Sequence, residues 1–412
     1  MDILRASAIG FMMAAMFSMV GGNLHAADAP LTYRTQALDV GLFSVQQATL
    51  PSGYTLELLT KKLDEPRLLH FAQNGDLFVG SKSGNVYRLP PPYTEPEVLV
   101  TLDNYPHSVA LRAGEILIAQ ADGLYRAPYR LGQKTLKKDD VKRIALLPGG
   151  SGHNSRTVGV GPDGRVYVSL GITGNCSDEY LGTDYPFDDQ RGGVLRLREG
   201  KDGLSWETFA SGLRNPVGFD WHPKTHVLYA SNNGPDHMGF DLPPEYFSRL
   251  TFGSFHGMPW FQYNGERIIR DDCIKSKPPR PIEEVQMPVA TFPARNAPMG
   301  VAFVPDGAMD KRLWGDAIVA LRGSWAVRSG GKLFGDKSTR RPPKIVVVRF
   351  KNGEPVRVDD LVSGFQLKNG DRWARPVGVA IGPDGALYFT SDSDTHGLFR
   401  LKPQSQKPSP PD

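Results

Sequence analysis

Apolar residues in this chain come in short runs, not in helical stripes. Runs of four to six residues rich in Val, Ile, Leu, Tyr and Phe alternate with Gly, Pro, Asn and Asp. That is the pattern of strands bounded by turns, and no competing window places its apolar residues at helical spacing. The runs repeat. Copies begin at Pro66, Pro106, Arg156, Pro216, Pro298 and Pro376. In each copy a strand of small apolar residues leads to a turn and then to a second, bulkier strand. The turns are Asn74-Gly75-Asp76, Gly114-Glu115, Pro162-Asp163-Gly164, His222-Pro223-Lys224, Pro305-Asp306-Gly307 and Pro383-Asp384-Gly385. Asp-Gly between two such strands favours a hairpin because glycine accepts positive φ. A short third strand follows in most copies, as in Asn85-Val86-Tyr87-Arg88-Leu89 and Leu398-Phe399-Arg400-Leu401.

Six antiparallel units predict an all-β, six-bladed β-propeller; an irregular β-sandwich would not explain six copies. The copies grow longer along the chain, so the later blades carry long inserted loops, expected on the axial, ligand-binding face. The propeller is assigned to residues 50–401, preceded by a signal peptide (1–26) and an N-terminal extension (27–49) and followed by a disordered tail (402–412). The leader has Arg5, an apolar run from Ala6 to Val20 and a small-residue cleavage point at Leu24-His25-Ala26. Such a run predicts export, with a periplasmic location, and is too short for a stable membrane span.

Composition adjusts this picture only slightly. Hydrophobic residues make up 40 % of the chain, enough for a core, and the net charge of +4 is mild. With no basic stripe interleaved with aromatics, nucleic acid is not an expected partner. The two cysteines, Cys176 and Cys273, lie in loop-like segments; an oxidising compartment permits a disulfide without requiring one. There is no Cys-x-x-Cys-His for covalent haem and no zinc-type Cys/His spacing.

Small residues at the start of each copy suit the innermost strand, where blades crowd at the axis. The residues just ahead of those strands then sit at the mouth of the central channel: His107, His153 to Arg156, Arg214, Asn215, Asn296, Ala297 and Arg372 to Arg375. Cations, amides and an imidazole in one ring suggest an anionic ligand with several oxygens. Asp236, Asp241 and Glu245 read either as a second cation site or as an acidic solvated loop. Asp392-Ser393-Asp394 reads as a turn, and His256 and Trp260 as packing within an insert.

These residues resemble the soluble quinoprotein sugar dehydrogenases, the glucose/sorbosone dehydrogenase family, over roughly Leu50 to Leu401. The motifs are Gly149-Gly150-Ser151-Gly152-His153 with Arg156, Gly212-Leu213-Arg214-Asn215-Pro216, Asn232-Asn233-Gly234-Pro235-Asp236, Asp241-Leu242-Pro243-Pro244-Glu245, Arg322-Gly323-Ser324-Trp325, and Arg375-Pro376-Val377-Gly378 followed by Gly382-Pro383-Asp384-Gly385. The resemblance implies pyrroloquinoline quinone (PQQ) and calcium (Ca2+) on the axis. It casts His153 as general base and Arg214 as the stabiliser of charge on the quinone. It implies cofactor contacts from His107, Asn215, Asn233, Arg322, Arg372, Trp373 and Arg375, and calcium ligation by the carbonyls of Gly234 and Pro235. Trp325 and Trp373 would cover the flat cofactor or a sugar. The implied activity is oxidation of an aldose or a sorbosone-like sugar aldehyde, with electrons passing to an external quinone or cytochrome. A calcium-dependent propeller lactonase and a non-catalytic binding propeller are the alternatives.

Overall fold

A computed structural model describes residues 30–41, 44–329 and 335–404. The expected leader and most of the expected tail lie outside the described residues. Within them the chain is a six-bladed β-propeller. The first blade runs through Pro66–Phe71, Leu77–Ser81, Asn85–Leu89 and Glu97–Thr101, and the second through Ser108–Arg112, Glu115–Gln120, Gly123–Pro128 and Lys142–Leu146. The third has Val158–Val160, Val166–Leu170, Gly193–Gly200 and Gly203–Ser211, joined in parallel by Ser254–Phe255. The fourth has Phe219–Trp221, Leu228–Asn232, Glu245–Leu250 and Ala290–Phe292; the fifth has Pro298–Phe303, Ala317–Leu321, Lys344–Lys351 and Glu354–Val362. The sixth blade takes Ala374–Ile381, Leu387–Asp394 and Gly397–Pro403 from the end of the chain. Its outer strand, Tyr54–Thr60, comes from the beginning.

The repeated turns work by local chemistry. Gly164 and Gly385 take φ of +73° and +71°, where a Cβ would be strained. In the same two turns Asp163 and Asp384 each accept a hydrogen bond of 2.9 Å from the hydroxyl of a tyrosine four residues on, Tyr167 and Tyr388. Crowding at the axis explains the Pro-x-Gly starts. A Cβ on Gly218 would lie 2.2 Å from the carbonyl of Met299, one on Gly300 2.7 Å from that of Val377, and one on Gly378 2.5 Å from that of Arg67. Each glycine thus lets one inner strand touch the next. Hydroxyls also tie neighbouring inner strands: Ser108 donates to the carbonyl of Arg156 (2.9 Å), Ser231 to that of Met299 (2.6 Å) and Thr390 to that of Arg67 (2.6 Å).

The segment assigned as an extension is structured. Tyr33–Asp39 pairs with Val45–Pro51 in a hairpin, and Thr49 exchanges two backbone bonds of 2.9 Å with Ser363. Leu38, Ala48 and Leu50 enter the core shared by the fifth and sixth blades, so position 50 falls inside a strand. At the other end Lys402 and Pro403 pair with Thr55 and Tyr54, and the strand outlasts its expected limit at 401. Cys176 and Cys273 form a disulfide spanning 97 residues, with Cα atoms 5.5 Å apart. It joins a third-blade loop to the fourth-blade insert, where Trp260 and His256 are buried as expected. Among the described residues no helix is long and apolar enough to cross a membrane.

Candidate active site

One mouth of the axis opens into a cavity of about 340 Å3. Its lining includes His153, Arg214, Asn215, Asn233, Gly234, Arg322 and Arg375, seven of the residues singled out from the sequence. The inner strands lie along the axis: His153, Arg214 and Asn215 come a few residues before inner strands, Arg375 lies near the start of one, and Asn233, Gly234 and Arg322 follow second strands, so separate stretches of chain converge there.

His153 is held from below. Its Nδ1 lies 2.5 Å from the carbonyl of Ile172; a carbonyl only accepts, so Nδ1 carries the proton and Nε2 keeps a lone pair. Two buried guanidiniums fix the loop. Arg156 donates to the carbonyls of His153 (2.7 Å) and Pro148 (2.8 Å), and Arg191 donates to those of Gly171 (2.9 Å), Ser151 (3.1 Å) and His153 (3.3 Å). Gly171 has room for no more than hydrogen: a Cβ would lie 2.5 Å from that of His153 and 2.6 Å from Oδ1 of Asn215.

Burial, then the adjacent Arg214 guanidinium, push the His153 pKa down to about 4. The ring is therefore neutral, and able to accept a proton, well below the ordinary 6.5. NMR titration of the apo protein's imidazole should give a midpoint about 4, rising when Arg214 is replaced by alanine. A midpoint near 6.5 would show that neither burial nor Arg214 controls the ring.

Arg214 donates to Oδ1 of Asn175 at 2.7 Å and lies 3.6 Å from Asp236. Among the described residues its Nε has no partner, nor does Oδ1 of buried Asn215. Asn175 precedes Cys176, so the disulfide anchors the loop that positions Arg214. His237 brings its ring within 4.8 Å of both sulfurs, but these are bonded to each other and His237 Nε2 pairs with Asp271 at 3.0 Å. Asn233 lines the cavity with its amide already donated to the carbonyl of Pro298 at 2.6 Å.

A second cluster faces these groups. Arg322 donates from Nε to Asp392 at 2.8 Å and 3.1 Å, and Arg67 donates to the same carboxylate. Arg375 donates to the carbonyl of Arg322 at 3.1 Å; burial, then Arg322 and Arg372, bring its pKa down to about 9. The Asp392 side chain is only 6 % exposed and lies within the strand Leu387–Asp394; it is not the turn residue expected. Arg67 and Arg295 line the cavity too and had no sequence signal of their own, and neither did the latch Arg191. Glu245, read as either a cation site or a solvated loop, is buried in a strand and takes the Gly234 N–H at 2.5 Å. Its pKa is raised to about 7 by burial.

Three residues expected at the cofactor lie elsewhere. Trp373 is 5 % exposed in the hydrophobic core, its ring centroid 4.9 Å from that of Phe365 and its indole N–H bonded to the carbonyl of Gly364 at 2.7 Å. A satisfied indole with its large apolar face packed gains more in the core than at a wet mouth. His107 is fully buried one layer below, with Nδ1 3.1 Å from the carbonyl of Arg156. Arg372 stands behind the wall, donating to the carbonyls of Ser324 (2.9 Å) and Arg341 (3.1 Å). Pro235 departs in another way: its carbonyl, expected on calcium, accepts from Arg295.

Comparison with known proteins agrees with this architecture. A family model described as TrAA12-like matches residues 48–242. An uncharacterized protein of Borreliella burgdorferi is 24 % identical over 363 residues, covering 83 % of this chain and 88 % of that one. The calcium structure of Trichoderma reesei carbohydrate-active enzymes family AA12 superposes with a TM-score of 0.72 at 18 % identity, covering 86 % of this chain and 97 % of that one. The holo form of the pyranose dehydrogenase PQQ domain from Coprinopsis cinerea gives 0.68 at 19 %, covering 87 % and 97 %. The PQQ-bound form of aldose sugar dehydrogenase from Streptomyces coelicolor gives 0.57 at 16 %, covering 86 % and 99 %. The structures share the fold, and the resemblance to quinoprotein sugar dehydrogenases read from the motifs is borne out.

Proposed function

We propose that this propeller, of the quinoprotein sugar dehydrogenase type, is an exported periplasmic oxidoreductase that binds PQQ in the axial cavity and oxidises an aldose or a sorbosone-like aldehyde. The observation that carries the reading is the meeting of Arg67, Arg214, Arg322 and Arg375 with a neutral, oriented imidazole in one axial cavity. PQQ bears three carboxylates, and planar guanidiniums pair with carboxylates through two parallel bonds. The orphaned Oδ1 of Asn215 and Nε of Arg214 are polar groups whose burial is costly until something fills them. The residues therefore fit the cofactor.

Calcium fits less well. Of the two carbonyls assigned to it, that of Pro235 is taken by a guanidinium.

Converting a sugar hemiacetal to a lactone, or a hydrated aldehyde to an acid, removes one hydride from carbon and one proton from oxygen. Bound PQQ supplies the hydride acceptor. His153 Nε2 takes the hydroxyl proton, its lone pair kept free by the Nδ1 bond to Ile172. Arg214 places fixed positive charge beside the cavity, where negative charge grows. Trp325, 72 % exposed at the rim, offers a flat apolar face to a sugar ring. A separate electron acceptor, a quinone or cytochrome, would take the two electrons onward.

Titrating the purified chain with PQQ, followed by cofactor absorbance and thermal stability, tests this reading. Binding of about one PQQ per chain at micromolar concentration is expected, with aldose-dependent dye reduction by the complex. No PQQ binding would overturn it.

A further inference from the structure

The cavity wall contains a cation belonging to the chain itself. Arg295 is 2 % exposed and adopts φ of +68°, a conformation that side-chain-bearing residues rarely accept. Its side chain lies among the oxygens of the loop that follows Asn233. Nη1 donates to the Pro235 carbonyl and lies 3.2 Å from Asp236 Oδ1; Nη2 donates to the carbonyls of Gly239 and Leu242; Nε reaches Gly239 again at 3.0 Å. Three carbonyls and a carboxylate thus converge on one guanidinium. Backbone carbonyls and carboxylates are the oxygens that hard divalent cations choose, and here a side chain already holds them. Asp236 is shared with Arg214 as well, so a divalent ion placed there would meet two guanidiniums of like charge.

We propose that Arg295 replaces the divalent cation at this cavity, holding loop 235–242 in place and supplying fixed positive charge, so that PQQ binds without calcium. The proposal rests on the PQQ reading of the site. No chelator removes a guanidinium that is part of the chain. Backbone strain of this kind persists where surrounding contacts impose it, and five donated contacts do so here.

Two measurements test the proposal, and they separate it from the cofactor reading. In the first, EDTA-stripped protein is titrated with PQQ in EDTA and in millimolar calcium. Dissociation constants agreeing within about two-fold are expected, and a tenfold or greater tightening by calcium, about 1.4 kcal/mol, would overturn the proposal. Loss of binding under both conditions would overturn the cofactor reading and this inference together. The second measurement uses calcium alone. Wild-type thermal stability should not respond to it, whereas Arg295→Met, which empties the oxygen cage, should be less stable and should regain stability as calcium is added. A calcium-dependent rise in the wild type would overturn the proposal with no PQQ present. If Arg295→Met does not fold, Arg295→Lys, which keeps the charge but not the five-contact geometry, provides the intermediate case, and the wild-type calcium response still decides.

Discussion

His153→Ala is expected to lower the rate of sugar-dependent dye reduction by roughly 10²- to 10⁴-fold, the contribution of a positioned general base, while PQQ affinity stays within about two-fold. The separation follows from geometry. The guanidiniums that suit carboxylates come from Arg67, Arg214, Arg322 and Arg375, on other parts of the chain. The loop carrying residue 153 is fixed through its backbone by Arg156 and Arg191, and those bonds survive loss of the ring. The Ile172 carbonyl keeps the residue 153 N–H as a partner at 3.3 Å. Added imidazole should recover part of the rate. Stopped-flow reduction of bound cofactor, measured beside equilibrium PQQ binding, reads the two effects apart. An unchanged rate would take the base role from His153, and a parallel loss of affinity would make it a binding residue.

Asp392→Ala is expected to cost about 3–5 kcal/mol of stability in urea unfolding, the usual result of removing one partner from a buried ion pair. Burial opposes the Asp392 charge, but Arg67 and Arg322 outweigh it and hold the carboxyl below its ordinary range. The group therefore stabilises the fold above the unfolded pKa of about 4, and that contribution fades as pH falls through the lower folded value. In the variant the buried Arg67 and the partly exposed Arg322 guanidiniums lose their shared carboxylate, so the deficit should shrink when PQQ carboxylates enter the cavity. Asp392→Asn should retain part of the hydrogen bonding and fall between the two. Unfolding at the wild-type urea concentration, together with unchanged PQQ affinity, would show that the carboxylate is not what organises the cluster.

Chemistry set by nearest neighbours was readable from the sequence. Asp163 with Gly164 and Tyr167, and Asp384 with Gly385 and Tyr388, announce their hairpins within a few residues. Gly218, Gly300 and Gly378 mark the inner strands because close approach forbids a side chain. The outer strands were harder. Glu354–Val362 is largely half-exposed or exposed and looks like loop, and Glu245–Leu250 opens on an acid that read equally as a cation ligand or as part of a solvated loop. The cation cluster was only half readable: Arg67 and Asp392 meet from positions 325 residues apart, beyond any local pattern. Trp373 shows the opposite failure. A tryptophan between two arginines looks the same in sequence whether it faces a ligand or, as here, Phe365. The Arg295 cage combines both difficulties, since three of its four oxygens come from the backbone, which side-chain identity does not encode.

The strand Tyr54–Thr60 joins the last blade to the first part of the chain. Until Gly397–Pro403 is present, that early strand has no partner and the ring remains an open arc with two raw edges. Emergence of the chain from a ribosome must therefore be nearly finished before closure can begin. The search for that final pairing spans almost the whole polypeptide, and its entropic cost falls in one late step. Such an order of events delays ring closure until almost the whole chain is available. It also leaves the nearly complete arc as the species that most needs shielding from edge-to-edge association.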